Sequence, residues 1–90
     1  MRLDKFLKTA RIIKRRTIAK EISDKGRILV NERIAKSSTD VHPEDKIVIK
    51  FGNKTLTIQV HEVLETTKKA DASRMYSVLD ESYEHDYSQM

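Results

Sequence analysis

Two hydrophobic spacings divide this chain, and the change between them constrains the fold more than any single motif. Up to Ile22 the apolar residues recur at helical intervals; from Ile28 to Val60 they mostly alternate. Leu3, Phe6, Leu7 and Ala10 follow the i, i+3, i+4, i+7 pattern, which predicts one buried face of a helix over residues 2–10. Ile18, Ala19 and Ile22 set the inward face of a second helix over 16–25, with Lys20, Glu21 and Asp24 outward. Gly26 is its terminator, because glycine tolerates the left-handed conformation that ends helices.

The alternating part predicts four short strands. Residues 27–30 form the first, a turn through Asn31, Glu32 and Arg33 follows, and residues 34–36 return. Ser37, Ser38, Thr39 and Asp40 are loop composition. A turn at Pro43 leads into residues 46–51, with Ile47, Ile49 and Phe51 on one face. Gly52, Asn53 and Lys54 make a hairpin turn into residues 56–60. Ala72, Met75, Tyr76 and Leu79 then stand at helical spacing and predict a third helix over 69–82, ending in a polar, frayed segment. The order helix, helix, strands, helix is that of an α+β domain. The expected division is a compact body, 1–63, and a C-terminal helix with an acidic, partly disordered tail, 64–90.

Charge is distributed as unevenly as hydrophobicity. The first sixteen residues carry seven Lys or Arg against one acid, Asp4. Residues 1–54 hold fifteen Lys/Arg and seven Asp/Glu; residues 55–90 hold three and seven. A basic body with an acidic tail calls for a polyanionic partner. In the first helix the cations fall off the apolar face, so the element is anchored on one side and cationic on the other, as a phosphate-binding surface requires. There is no Cys, and no apolar run of signal-peptide or membrane-span length, so a cytoplasmic location without membrane contact is expected.

Four pieces in order carry a family resemblance: Arg2-Leu3-Asp4; Arg16 with Ala19; Gly26-Arg27-Ile28-Leu29-Val30-Asn31; and Pro43-Glu44-Asp45-Lys46-Ile47. Together they resemble the S-four-type RNA-binding domain, named after a ribosomal protein. The resemblance implies two N-terminal helices packed on a small, mostly antiparallel sheet, with the helices and the adjoining strand turn forming the RNA face. The opening helix, Thr66-Thr67-Lys68-Lys69 and Met75-Tyr76 further resemble the RqcP family, small bacterial relatives of heat-shock protein fifteen. That implies a non-catalytic factor of ribosome-associated quality control. It would bind large-subunit ribosomal RNA and tRNA on stalled large ribosomal subunits, and assist alanine tailing with the partner RqcH. A recycling factor of the heat-shock protein fifteen kind is the neighbouring alternative.

Three positions depart from the family pattern. Arg15 stands where a capping Ser is common, leaving Thr17 as a substitute cap for helix two. Glu32 and Glu44 replace turn glycines; a type I turn at Pro43 would accommodate Glu44, since it needs no glycine.

Arg offers a planar fork for phosphate oxygens, and Lys a mobile point charge. Arg2, Arg15 and Arg16 are therefore the first candidates for ordered RNA contacts, followed by Lys5 and Lys20. Lys8, Arg11 and Lys14 add diffuse attraction. Lys25, Arg27, Asn31 and Lys36 are candidates for the strand side of the same face. Asp4 precedes Lys8 by four residues, the favourable order for a helical ion pair; the competing role is to orient Arg2 or a neighbouring Arg. Phe6 and Phe51 fall on apolar faces, so stacking on aromatics is not expected to drive binding at the basic face.

Other chemistries find little support. His42, His61 and His85 share no metal-ligand spacing, and no phosphate-cradling glycine loop exists, so neither metal nor cofactor is expected. Ser37, Asp40 and His42 lie in one loop without a nucleophile elbow. A helix-turn-helix DNA reader would need base-reading side chains on helix two, which offers Lys20, Glu21 and Asp24 instead. The reading is a monomeric RNA-binding protein, not an enzyme.

Overall fold

The computed structural model describes residues 1–65 and 69–83. Its elements are α1 (Leu3–Thr9), α2 (Arg16–Asp24), β1 (Ile28–Val30), β2 (Arg33–Ile34), β3 (Lys46–Phe51), β4 (Lys54–Val60), α3 (Lys69–Ala72) and β5 (Tyr76–Tyr83). All strand pairings are antiparallel, in the order β2-β1-β3-β4-β5. Leu3, Phe6, Leu7 and Ala10 of the α1 region, with Ala19 of α2, join Ile28, Val30, Ile47, Ile49, Leu56, Ile58 and Val60 in one buried core. The helices thus cover one face of the sheet. Strand alternation puts Lys46, Val48 and Lys50 on the other.

Both helices end in the same hydrogen-bonded cap. After α2, Gly26 takes φ 76°; its N–H donates to the Ser23 carbonyl, and the Arg27 N–H donates to that of Ile22. After α1, Arg11 takes φ 60°; its N–H donates to Lys8, and the Ile12 N–H to Leu7. Both are Schellman motifs. In α1 the left-handed residue is an arginine, where glycine would be unstrained.

Several expectations are corrected. The C-terminal helix over 69–82 is absent: only Lys69–Ala72 is helical, and Tyr76–Tyr83 is the fifth strand. Ala72 and Met75 are buried as the spacing implied, but Leu79 is 52% exposed. The free edge of β4 explains the difference, because a seven-residue strand leaves backbone groups that β5 pairs along its length. Leu79 is the extra residue where the register shifts between Thr57 and Ile58. In α2, Ile18 faces solvent at 41% exposure, and Ser23 takes the inward place, its hydroxyl donating to the Ala19 carbonyl at 2.7 Å. The start of α2 has no side-chain cap: Arg15 is the extended N-cap residue, and Thr17 lies inside the first turn.

The turns differ too. Asn31 and Glu32 have φ 51° and 70° between the paired Val30 and Arg33, a type I′ hairpin. Glu44 has φ 77° in a turn closed by the Asp45 N–H on the His42 carbonyl, which is type II rather than type I. Residues 66–68 and the polar end 84–90, with His85 and Tyr87, lie outside the described residues. Among the described residues, no helix is long and apolar enough to cross a membrane.

Candidate nucleic-acid interface

The N-terminus of α1 is held by the loop that the sequence marks only as polar. The Leu3 N–H donates to the Thr39 carbonyl at 2.8 Å, and the Asp4 N–H to that of Ser37 at 3.2 Å. Two of the helix's orphan donors are thereby satisfied by backbone. The loop is tied in turn to α2, because the Ser37 N–H donates to Asp24 Oδ1 at 3.2 Å. That hydrogen bond, with the Ser37 hydroxyl and the charges of Lys20 and Lys36, holds the Asp24 carboxyl below its ordinary range. The charges of Lys20 and Lys36, sixteen residues apart in sequence, thus both act on one carboxylate.

Asp4 is the centre of the face. Its side chain is 5% exposed, with Oδ1 3.5 Å from Arg2 Nε and Oδ2 3.3 Å from Arg16 Nε. The Lys5 backbone N–H also donates to Oδ1, at 2.8 Å. Asp4 therefore bonds Arg2 and Arg16 rather than Lys8, and the orienting alternative is the one the geometry supports. Each arginine keeps about half its side chain exposed, 50% and 47%. Because Asp4 engages Nε, the terminal nitrogens stay available as forks for a phosphate. Arg2, Asp4, Arg16, Thr17 and Lys20 line a shallow cavity of about 290 Å³. The uncapped start of α2 adjoins it and adds the positive end of a helix dipole.

The remaining candidates divide. Lys8, Arg11, Lys14 and Arg15 are exposed around the α1–α2 corner, and Arg27 is exposed just before β1. Lys5 is already occupied: its ammonium is 2.5 Å from Glu65 Oε2, a contact that lowers the Glu65 pKa. Lys25 pairs with Glu21 one helical turn back, at 2.9 Å. Asn31 is held as a brace, its amide donating to Asp45 Oδ1 and its carbonyl oxygen accepting from the Lys46 N–H, both at 3.0 Å. Sequence reasoning missed the bracing roles of Asp24, Ser37 and Glu65. Only the mixture of acids among so many cations signalled them.

A family profile described as the S4 domain matches residues 1–47. The chain belongs to the S4-domain family. It is 56% identical over 81 residues to the RQC P-site tRNA stabilizing factor of Bacillus subtilis (strain 168), covering 90% of this chain and 94% of that one. The protein of the same name from Streptococcus pneumoniae (strain ATCC BAA-255 / R6) is 57% identical over 82 residues, covering 91% and 93%. Among solved structures, the trimeric heat shock protein 15 of Vibrio cholerae superposes with a TM-score of 0.80 at 28% identity, covering 87% of this chain and 80% of that one. Within the S4-domain family this chain groups with the RQC P-site tRNA stabilizing factors, as its opening residues implied.

Proposed function

We propose that this protein is a non-catalytic RNA-binding factor that acts on stalled large ribosomal subunits. There it binds ribosomal RNA through its helical face, steadies the P-site tRNA and assists alanine tailing together with RqcH, as a monomer in the cytoplasm. The observation that carries the reading is the buried Asp4 carboxylate holding Arg2 and Arg16 side by side over a cation-lined cavity. Two aligned forks on rigid helix ends fit a phosphodiester backbone, which offers anionic oxygens at regular spacing. The names of the near relatives support the ribosomal and tRNA side of the reading.

Gradient sedimentation from lysate tests it. Wild-type protein is expected with large subunits that carry tRNA, and Arg16→Ala protein at the top of the gradient. Wild-type protein at the top even in low salt would sink the ribosomal assignment. Asp4→Asn is expected to shift the protein toward the top as well, because Asp4 holds both Arg2 and Arg16. Asp4→Asn protein that sediments like the wild type would rule out the orienting role of Asp4.

A further inference from the structure

The two edges of the sheet are unlike. β2 closes one edge with two residues, too short to template another strand. β5 closes the other with eight, and among the described residues no strand pairs with its outer side. Such an edge presents a row of backbone donors and acceptors to whatever can lie along it. Lysine and proline, the usual protection of an edge, do not occur between residues 76 and 83. Val78, Leu79 and Tyr83 stand there instead, each about half exposed. The bulge at Leu79 interrupts the edge once.

Strand register shows what an added strand would meet. Val30, Ile47 and Ile58, paired in succession, form a buried row under the helices, and the row ends on Val78. Val78 is 53% exposed at the open edge, so one apolar side chain on a further strand would complete the row. Two acids follow, Asp80 opposite Thr57 and Glu81 opposite Leu56, on opposite faces of the sheet. Glu81 is engaged by Lys54 at 3.4 Å and accepts the Tyr83 hydroxyl at 3.0 Å. Among the described residues, Asp80 makes no ion pair.

The two acids select the occupant. An antiparallel second copy, laid with Tyr76 against Tyr83, would bring Asp80 and Glu81 of both chains together at the middle of the ladder, and like charges disfavour it. RNA is repelled, because residues 76–83 hold two acids and no Lys or Arg. A basic segment of another protein gains on both counts: its backbone pairs with the edge, and its cations meet the acids.

We infer that the outer edge of β5 is a docking site for an extended basic segment of a partner protein, which adds a further strand to the sheet. The segment is about six residues long, the usual strand length, with adjacent Lys or Arg against Asp80 and Glu81 and an apolar residue against Val78. This goes beyond the proposed function and uses neither Arg2 nor Arg16, so it stands or falls independently of the ribosomal assignment.

The test uses the full chain and an N-terminally fluorescein-labelled peptide, Val-Thr-Lys-Arg-Val-Thr-Val-amide, followed by anisotropy and by amide hydrogen exchange in NMR. Saturable binding is expected, with slowed exchange at alternate residues of β5, which charge attraction alone would not give. Replacing both peptide cations by Glu, or Asp80→Lys in the protein, should each weaken binding at least fivefold. Asp80 is exposed, so the fold should survive, and unchanged shifts outside β4 and β5 would verify it. Absence of binding at millimolar peptide, equal affinity for the Glu peptide, or unchanged β5 exchange would overturn the site. So would self-association that protects the β5 amides without peptide, which would make the occupant a second copy. Amide shifts in β5 with hexauridylate would overturn it too, in favour of RNA.

Discussion

Among the described residues, four other than glycine hold a left-handed backbone: Arg11, Asn31, Glu32 and Glu44. Asn adopts that region readily, but Arg and Glu do so at a cost of roughly 1–2 kcal/mol. Part of that cost is offset because glycine loses more freedom on folding. Glu32→Gly and Glu44→Gly should therefore each stabilise the fold by about 0.5–1 kcal/mol, raising Tm by a few degrees in a chain of this size. Thermal unfolding followed by circular dichroism would show it, and a lower Tm in either variant would refute the strain argument. Arg11→Gly should stabilise similarly but weaken RNA binding, because the residue that strains the α1 cap is also an exposed cation at the helical corner. Asp24 sets a pH dependence of its own. Its folded pKa lies below the ordinary 3.8, so its contribution is present above about pH 3.8 and is lost as pH falls through the lower folded value. The Ser37 amide shift should titrate with a midpoint below 3.8 and stop titrating in Asp24→Asn protein. A midpoint at or above 3.8 would mean that the Ser37–Asp24 bond does not persist in solution.

Elements whose residues carry both a periodic face and a local stop signal were legible in the sequence. The α1 face, the Gly26 terminator, and the alternation of Ile47 and Ile49 all reappear as read. So did the basic face, since seven cations in sixteen residues leave few other arrangements. What sequence could not show was long-range: the carboxylates that brace the cations, and the β4 edge that recruits Tyr76–Tyr83. Ala72, Met75, Tyr76 and Leu79 satisfy helical spacing, yet Tyr and Val suit a strand equally, and tertiary pairing decides between them. Point variants distinguish the two states. Met75 is fully buried, and Met75→Ala should cost about 2–5 kcal/mol. Leu79→Ala should change stability by no more than ~0.5 kcal/mol, since the side chain is half exposed in an edge strand. Equal, large losses in urea unfolding would restore the helix, because a helix over 69–82 would bury both residues.

At the scale of the whole molecule, charge separation and an internal counter-ion together set how binding responds to salt. A protein that neutralises several phosphates loses affinity steeply, with a slope of roughly 0.7–0.9 per phosphate in log–log form. Arg2, Lys8, Arg11, Lys14, Arg15, Arg16, Lys20 and Lys36 are exposed on or around the helical face. Lys5 is paired one-to-one with Glu65, sixty residues away in sequence, whereas Arg2 and Arg16 share the single Asp4 carboxylate. A phosphate arriving at Lys5 must displace a carboxylate, and the displaced Glu65 then repels the same RNA. Lys5 therefore adds little to the slope in the wild-type protein. Removing the competing charge by Glu65→Gln should raise RNA affinity at low salt and steepen the slope by about one phosphate's worth, 0.7–0.9. Lys5→Ala in the wild-type background should change the slope far less than Lys5→Ala in the Glu65→Gln background. Anisotropy titrations of one RNA at four or five salt concentrations would measure all four slopes. An unchanged slope in Glu65→Gln would mean either that RNA does not reach Lys5 or that the ion pair does not form in solution. A shift of the Glu65 carboxyl pKa on Lys5→Ala, upward toward its ordinary 4.5, would decide between them in favour of the formed pair.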